Sequence, residues 1–329
     1  MKKILLALFS CALLAYYCLF WRLPASDVIM TQPLPTNHQE CLLPLDSRPV
    51  CTQLPQELAH LAGAELILPP TELMDNYRQP AKKDELANWL TEQAKLKLNN
   101  YHASTDMLIS GGLIASRQKF TLLSEHKKQY ALLEELQRLA PNSSFSYFSL
   151  VPRLLVSDEL IPDRWYKFHL QRYSQLYHVA TVFNDYPSTI ELMDYGAKIP
   201  PEILTKYKRL FFHNYVFNRR LLEKSSPNTT IVIGQDDGAP WGFPTMTFEH
   251  LENYVVGHNA NNALMTYGAD EIASMLIARS YLHSQMFQPK VAIRYAHPSI
   301  PTLHMPYQST SVENVLLEKL SFLRAKQAS

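Results

Sequence analysis

Glycine and cysteine are both scarce in this chain of 329 residues. Because there are only nine glycines, those that follow apolar runs are informative, since glycine permits tight turns and a close approach of backbone to ligand. Of the four cysteines, only Cys41 and Cys51 lie beyond the apolar N-terminal segment. The two thiols either pair in an oxidising compartment or are buried as small hydrophobic side chains.

Positive and negative charges are nearly balanced in the sequence, with 31 basic and 30 acidic residues. This balance gives no reason to expect a polyanionic partner and argues against nucleic-acid binding. The sequence has no HExxH pair and no G-x-S-x-G elbow, "GGLIASR" lacks the ending of a phosphate loop, and "IGQDDG" lacks the dinucleotide fingerprint. No cofactor is expected, although a metal held by Asp46, Asp236 and Asp237 stays open as an alternative.

The N-terminus carries Lys2 and Lys3, followed by an apolar run from Ile4 to Trp21 that is long enough to span a bilayer as one helix. The lysines favour a cytoplasmic N-terminus, with the rest of the chain outside. Residues 1–26 are predicted to be an uncleaved signal anchor in the inner membrane or a cleaved signal peptide; lipidation at Cys11 is a further alternative. Residues 27–39 are predicted to be a linker. The sequence therefore predicts a bacterial cell-envelope protein whose domain is extracytoplasmic, or secreted if the signal is cleaved.

From residue 40 onward, short apolar runs alternate with amphipathic segments, beginning with "CLLPLD", "QLPQELAHLAG" and "AELILPP". This alternation predicts an α/β domain over 40–329 with a mostly parallel sheet or a (β/α) barrel-like arrangement. A stretch at about 154–226, rich in aromatics and helical patterning, interrupts the alternation. It is predicted to be a helical insertion.

Polar residues follow the ends of five predicted strands, where ligands bind in parallel α/β sheets. Asp236 and Asp237 follow "IVIG" and are the predicted catalytic pair, because mutual repulsion and partial burial would raise the pKa of one acid and leave the other ionised. The predicted substrate-binding residues at or near strand ends are Asp46, Arg48, Gly112, Arg117, Gln235, Asp270, Glu271 and Tyr295. Taken singly, Asp46 or Asp270 is also typical of a helix cap.

Three further side chains are predicted to contact a ligand. Asn214 and Asn218 are four residues apart and share one face of a helix, which suits a hydroxyl-rich ligand or equally a polar packing edge. Trp241 lies beside the acids and could stack on a sugar ring.

Five motifs, taken in order, resemble the bacterial family known as domain of unknown function 4127. They are "PLDSRPVC", "ISGGLIASR", "VIGQDDGAPWG", "YGADEIASMLIAR" and "IRYAHPSIPTLHMPYQ", and they lie between about Leu42 and Leu317. The resemblance implies no particular activity. Members usually continue further at the C-terminus, carry Arg where this chain has Phe212, and have Pro where this chain has Tyr267.

Two classes of function are expected from these patterns. Adjacent Asp residues at a strand end are similar to those of hexosaminidases, in which one Asp orients the 2-acetamido group and its neighbour is the acid/base, so we expect a glycoside hydrolase-like enzyme acting on an amino-sugar glycoside. The alternative is a non-catalytic saccharide- or peptidoglycan-binding protein, and a metal-dependent hydrolase is a third option. In the first two cases the expected ligand is a carbohydrate.

Overall fold

The computed structural model describes residues 38–77, 79–118, 122–258, 260 and 262–327. The predicted membrane segment at 1–26 lies outside these residues, as does most of the predicted linker. Within the described part of the chain, we find no helix with the length and apolar character needed to cross a membrane. The first strand already begins at His38, so the last two residues assigned to the linker belong to the sheet.

In the described part of the chain, six parallel strands form the main sheet, and a small parallel pair lies near the C-terminus. The main strands are β1 (His38–Leu43), β2 (Ala64–Ile67), β3 (Asn100–Ser104), β4 (Ser144–Val151), β5 (Thr229–Gln235) and β6 (Ala263–Tyr267), and the small pair is β7 (Lys290–Val291) and β8 (Lys326–Gln327). Most central positions of the main strands are apolar and buried, as expected for a parallel sheet that is covered on both faces.

Eleven α-helices are present in the described residues, together with a 3-10 turn at Thr71–Leu73. They are α1 (Gln53–Leu61), α2 (Lys83–Lys95), α3 (Thr105–Ser110), α4 (Leu113–Ser116), α5 (Leu123–Leu139), α6 (Arg164–Phe183), α7 (Tyr186–Ala197), α8 (Pro201–Leu222), α9 (Phe243–Gly257), α10 (Ile272–Ser284) and α11 (Val312–Phe322).

The strand order is β2-β1-β3-β4-β5-β6, so the prediction of a mostly parallel sheet is confirmed and the barrel-like alternative is wrong. From β1 the chain steps outward to β2, then crosses back over β1 to β3 and continues in the other direction. Among the described residues, β2 and β6 are therefore the two edges of an open sheet and do not pair with each other to close a barrel. The order also creates a switch point between β1 and β3, beyond which ligands of open α/β sheets commonly bind.

Helices cover the sheet on both faces, over two separate cores. On one face, Tyr101, Tyr147 and Ile233 pack with α2, α5, α9 and the end of α8. On the other face, Leu42, Phe148 and Val232 pack with α1, α10 and Phe322 of α11.

The two cysteines of the folded domain are free and buried, as one of the two alternatives predicted. Cys41 belongs to the core on one face of the sheet and Cys51 to the core on the other. The disulfide alternative is therefore wrong, because the sheet lies between the thiols. Burial raises the pKa of both thiols, which keeps them protonated.

The region predicted as a helical insertion, at about 154–226, contains α6, α7 and α8 between β4 and β5. It has an aromatic core of its own, in which Tyr173, Tyr207 and Phe211 pack against Phe243 at the start of α9. The insertion thus contacts the helix that follows β5, and through it borders the loop that carries Asp236 and Asp237.

Candidate active site

A cleft of about 640 Å³ lies beyond the carboxyl ends of the main strands. Its walls come from the loops after β1, β2, β5 and β6, from α4 and from the irregular segment before α11. Eight residues that the sequence predicted for the site line it: Asp46, Arg48, Arg117, Gln235, Asp236, Asp237, Asp270 and Glu271. Convergence at this edge follows from parallel pairing, because every main strand ends on the same side of the sheet.

The carboxylate of Asp236 is held by a bidentate pair with the guanidinium of Arg117. Nε of Arg117 donates to Oδ2 at 2.7 Å and Nη2 donates to Oδ1 at 2.6 Å. Oδ1 also accepts the backbone N–H of Asp237 at 2.8 Å, and Asp236 is only 5% exposed. Both oxygens of Asp236 are therefore occupied within the protein, which fixes the loop and the arginine in one geometry.

The neighbouring carboxylate of Asp237 is left open to the cleft. Its side chain is 49% exposed, and its nearest charged partner among the described residues is Nη1 of Arg153, 3.9 Å from Oδ2. Partial burial, with the charge of Asp236 next, raises the pKa of Asp237, although Arg117 and Arg153 oppose the shift. The adjacent acids thus have different environments: one is locked in an ion pair and one is available to a ligand.

Arg48 joins two other acids across the mouth of the cleft. Its Nε donates to Oδ2 of Asp46 at 2.8 Å, and its Nη1 donates to Oδ2 of Asp270 at 3.0 Å. A second bond from Nη2 reaches Oδ1 of Asp270, so the loop after β1 is tied to the loop after β6. Asp46 also accepts the backbone N–H of Arg48 at 3.1 Å, which is a local turn contact of the kind a capping acid makes.

Glu271 lies beside this bridge, 2.9 Å from Nζ of Lys319 in α11. The same lysine contacts Thr266 at the end of β6. Lys319 therefore ties α11 to the cleft wall.

Asp75 lines the cleft and contacts Gly112, which lies behind it. Asp75 accepts the backbone N–H of Ser47 at 2.7 Å, and burial raises the pKa of its carboxyl. Gly112 has a positive φ of 117°, and a Cβ at this position would be 3.1 Å from Cγ of Asp75. Glycine is needed here for both backbone conformation and space, so the predicted Gly112 supports the wall without lining the cleft.

The segment before α11 closes one side of the cleft through Tyr307 and Gln308. The carbonyl of Tyr307 accepts the backbone N–H of Gly238 at 2.8 Å, directly after the two acids. Ser309 donates to Oε1 of Gln235, whose amide nitrogen lies 3.3 Å from the hydroxyl of Thr245. Gln235 is thereby fixed between the segment and α9.

Asn214 and Asn218, predicted to contact a ligand, lie away from this cleft. They do share a face of α8, but that face points at β4: Nδ2 of Asn214 donates to the carbonyl of Leu150 at 2.7 Å, and Nδ2 of Asn218 donates to Oδ1 of Asn214 at 2.9 Å. The two amides brace a strand end. Only Asn214 borders a separate, much smaller cavity of about 40 Å³.

Trp241 and Tyr295 are also outside the cleft. The ring of Trp241 packs edge-on against His178 and Phe183 of α6, because the loop after Gly238 turns toward the insertion. Tyr295 lies in the irregular segment after β7, and its hydroxyl is buried without a hydrogen-bond partner among the described residues.

Asp75, Asn76, Tyr77, Tyr307 and Gln308 line the cleft but were not predicted. Asp75 does not directly follow a strand, since the turn at Thr71–Leu73 intervenes after β2. The sequence "DNY" is typical of a turn, and this is the feature by which a loop at this position could have been predicted. Tyr307 belongs to the "MPYQ" end of a family motif, but no strand or helix periodicity places it at the cleft.

Within the described ranges, no three His, Cys, Asp or Glu residues are arranged to hold a metal ion. The arginines explain this for the cleft, since Arg117 and Arg48 occupy the oxygens of Asp236, Asp46 and Asp270. No metal-dependent step is assigned to these acids.

Comparison with known families shows to which protein family the chain belongs. The family model described as "Protein of unknown function (DUF4127)" matches residues 41–329, which is nearly the whole chain. The chain belongs to this family, as its motifs predicted. No curated protein and no solved structure matches it.

Proposed function

We propose that the chain is a glycoside hydrolase-like enzyme that acts on an amino-sugar glycoside, with Asp237 as the acid/base. The observation that carries this proposal is the environment of Asp237: a half-exposed carboxyl in a large polar cleft, with a raised pKa and no hydrogen-bonded side chain among the described residues. These properties suit a general acid, because a raised pKa favours the protonated form and exposure lets the carboxyl reach the substrate.

The proposed reaction uses the substrate's own 2-acetamido group as nucleophile. Protonated Asp237 donates its proton to the leaving glycosidic oxygen as the bond to the anomeric carbon breaks and the acetamido oxygen attacks that carbon. The resulting carboxylate then takes a proton from water, which attacks the anomeric carbon and restores the acetamido group. Atoms balance with water as the only co-reactant.

The residue that orients the acetamido group is proposed to be Asp270 and not Asp236. Both acids accept an arginine at each oxygen, but Asp236 is only 5% exposed, whereas the side chain of Asp270 is 39% exposed and lines the cleft. The remaining lone pairs of Asp270 are therefore within reach of a ligand. The charge of Asp270 acts on Asp237 and raises its pKa, so the two carboxylates are close enough to interact. Arg48 would hold Asp270 in place as an acceptor for the acetamido N–H.

Aromatic contacts to the sugar are proposed to come from Tyr77 and Tyr307. Both line the cleft, with 68% and 72% of their surfaces exposed. Exposed aromatic rings in a polar cleft provide flat apolar surfaces for a ligand. This role replaces the one expected of Trp241.

A non-catalytic saccharide-binding protein is the second candidate. It is favoured by the pairing of Asp46, Asp236 and Asp270 with arginines. Among the described acids of the cleft, Asp237 and Asp75 then lack a close ion pair, and only Asp237 of these two is exposed. Hydrolases of this type ordinarily use two carboxylates. Saccharide binding with no turnover would support this candidate.

The cellular location is also a proposal. Lys2, Lys3 and the apolar run Ile4–Trp21 support an inner-membrane anchor with the domain on the extracytoplasmic face, where envelope amino sugars would be accessible.

The decisive experiment is a turnover assay of the full chain on chromogenic N-acetyl-β-glucosaminide and N-acetyl-β-galactosaminide, beside the corresponding glucoside. Hydrolysis of an acetamido substrate, absent from the glucoside and abolished in D237N, is the expected result. Equal hydrolysis of the glucoside and the acetamido substrate would show that the acetamido group is not the nucleophile. Measurable saccharide binding without hydrolysis would support the non-catalytic saccharide-binding protein instead.

A further inference from the structure

A second cavity, of about 570 Å³, lies at the opposite edge of the sheet from the candidate active site. Residues at the amino ends of β1, β3, β4 and β5 contribute to it: His38, Asn100, Ser144 and Thr230. Its outer wall is formed by the end of α10 and by residues 323 and 324 after α11. Its volume is within the range of small-molecule sites, which is roughly 300–1,000 Å³.

The ionisable side chains that line this cavity are all basic. Among the described lining residues they are His38, His102, Arg279, His283 and Arg324, and none of these described residues carries a carboxylate. Within the described part of the chain, neither Arg279 nor Arg324 forms an ion pair, unlike Arg48 and Arg117 in the cleft. Because neither arginine has a carboxylate partner among the described residues, the cavity wall around them carries a positive potential; the buried Glu40 is paired with His38 and His102 instead.

Arg279 is held firmly enough to serve as a binding group. Its Nη1 donates to the carbonyl of Phe322, and its guanidinium lies 5.7 Å from the centre of the Phe322 ring. Burial, followed by the charge of Arg324, lowers the pKa of Arg279 to about 10. It remains charged at neutral pH, and an anion would relieve the repulsion between the two arginines.

His102 adds an unpartnered polar atom. The residue is 3% exposed, its Nε2 lies 2.9 Å from Oε2 of the buried Glu40, and its Nδ1 has no hydrogen-bond partner among the described residues. Glu40 is itself engaged by His38, Asn100 and Ser280. With Nε2 committed to Glu40, Nδ1 is the ring nitrogen of this cavity-lining residue that has no hydrogen-bond partner among the described residues.

We propose that this cavity is a binding site for a small phosphate-bearing molecule. The two guanidinium groups match a phosphate in charge and in their planar, multi-donor geometry. Asn100, Asn228 and Asn262 also line the cavity and would bind polar groups on the rest of the ligand. The site is separate from the sugar cleft, so it stands or falls independently of the proposed hydrolysis.

The test uses pyrophosphate as probe, with the full chain and isothermal calorimetry at constant ionic strength. Pyrophosphate is expected to bind the wild type, and Arg324→Gln is expected to weaken binding by at least about tenfold, the usual scale for losing a charged hydrogen bond. Arg324 is exposed, so this substitution should leave folding intact. Arg279→Gln should weaken binding further, whereas the matched control Arg138→Gln, an exposed arginine paired with Glu135, should not change it.

Two outcomes would overturn the proposal: no binding of pyrophosphate, or equal binding by the wild type and both cavity variants. In the first case, tight binding of citrate would assign the cavity to a polycarboxylate. Because pyrophosphate binding is measured directly, failure here leaves the proposed glycoside chemistry unaffected, and failure of glycoside turnover leaves this site unaffected.

Discussion

Arg117 and Asp236 are 119 residues apart in sequence and form a buried bidentate ion pair at the end of β5. The pair explains why two adjacent acids are tolerated in "QDDG". Arg117 compensates the charge of Asp236, so Asp237 alone is left to face the cleft.

The ion pair predicts that substitution of Asp236 destabilises the fold much more than substitution of Asp237. Asp236→Asn removes the partner of Arg117, whose side chain is 13% exposed, and leaves a largely buried charge uncompensated. We expect a loss of about 3–5 kcal/mol in the free energy of unfolding, the range measured when one member of a buried pair is removed. Urea unfolding followed by circular dichroism measures it.

Asp237→Asn is the matched control, because it changes the same group one residue further along. Its side chain is half-exposed and makes no close ion pair, so stability should stay within about 0.5 kcal/mol of the wild type. Equal destabilisation by the two substitutions would show that the ion pair does not distinguish these acids.

Asp237→Asn should nevertheless lower turnover of an N-acetylhexosaminide by at least about a hundredfold, since an amide cannot act as the acid/base. In the wild type the general acid must be protonated, so the rate is expected to fall as pH rises through the pKa of Asp237. That fall lies above the ordinary Asp value of about 3.9, because the pKa is raised. A pH profile of kcat/KM measures it.

The control for turnover is Asp84→Asn, an exposed acid of α2 that pairs with Lys128. Its rate and pH profile should match the wild type. A D237N enzyme that keeps wild-type kcat would rule out Asp237 as the acid/base.

Substitutions of Tyr307 and Trp241 test which aromatic ring contacts the substrate. The structure places Tyr307 in the cleft, whereas the sequence predicted this role for Trp241. Tyr307→Ala removes an exposed ring that lines the cleft, so KM should rise by about tenfold, the lower end of the effect of losing an apolar contact to substrate. Trp241→Ala should leave KM unchanged and reduce stability instead, because its ring packs on His178 and Phe183. Steady-state kinetics and thermal melting of both variants measure this, and a KM effect confined to Trp241→Ala would contradict the assignment.

The parallel sheet and most of the polar cleft could be predicted, because both follow from local patterns. Strand ends are visible as the residue after an apolar run, and parallel pairing brings them to one edge. Asp46, Asp236 and Asp270 were found in this way. The choice between an open sheet and a barrel depends on the order in which the strands lie in the sheet. The apolar runs show where strands are, but not which strands are neighbours.

The roles of individual acids could not be predicted, since they depend on partners that are distant in sequence. Nothing near "QDDG" indicates that Arg117 occupies Asp236, and nothing near Asp270 indicates Arg48. Asn214 and Asn218 show the same limit: their spacing correctly predicts a shared helix face, but not that the face meets a strand end.

The free thiols predict a simple chemical result. Cys41 and Cys51 are fully buried on opposite faces of the sheet, so the native chain should resist alkylation at both. In denaturant without reductant, both should react, because no bond joins them. Peptide mapping by mass spectrometry identifies each adduct. Alkylation of both cysteines only after addition of reductant would show that they form a disulfide.

Asp106 predicts a pH dependence of stability that is opposite to the usual one for a paired acid. It is buried in α3, where Oδ2 accepts the backbone N–H of Leu150 at 3.0 Å. Burial, opposed by that hydrogen bond, raises the pKa of Asp106 to about 7. Between an unfolded pKa of about 3.9 and this value, the folded state binds a proton that the unfolded state has released.

The free energy of unfolding contributed by Asp106 should therefore fall as pH rises from about 4 to about 7, by a few kcal/mol in total. Asp106→Asn keeps an oxygen to accept from Leu150 but cannot ionise, so it should flatten this slope and be more stable than the wild type at pH 8. Asp84→Asn should not flatten it, because Lys128 lowers the pKa of Asp84 and places its titration below this range. Urea unfolding at pH 4, 5.5, 7 and 8 tests this, and a D106N curve parallel to that of the wild type would show that Asp106 is ionised in the fold.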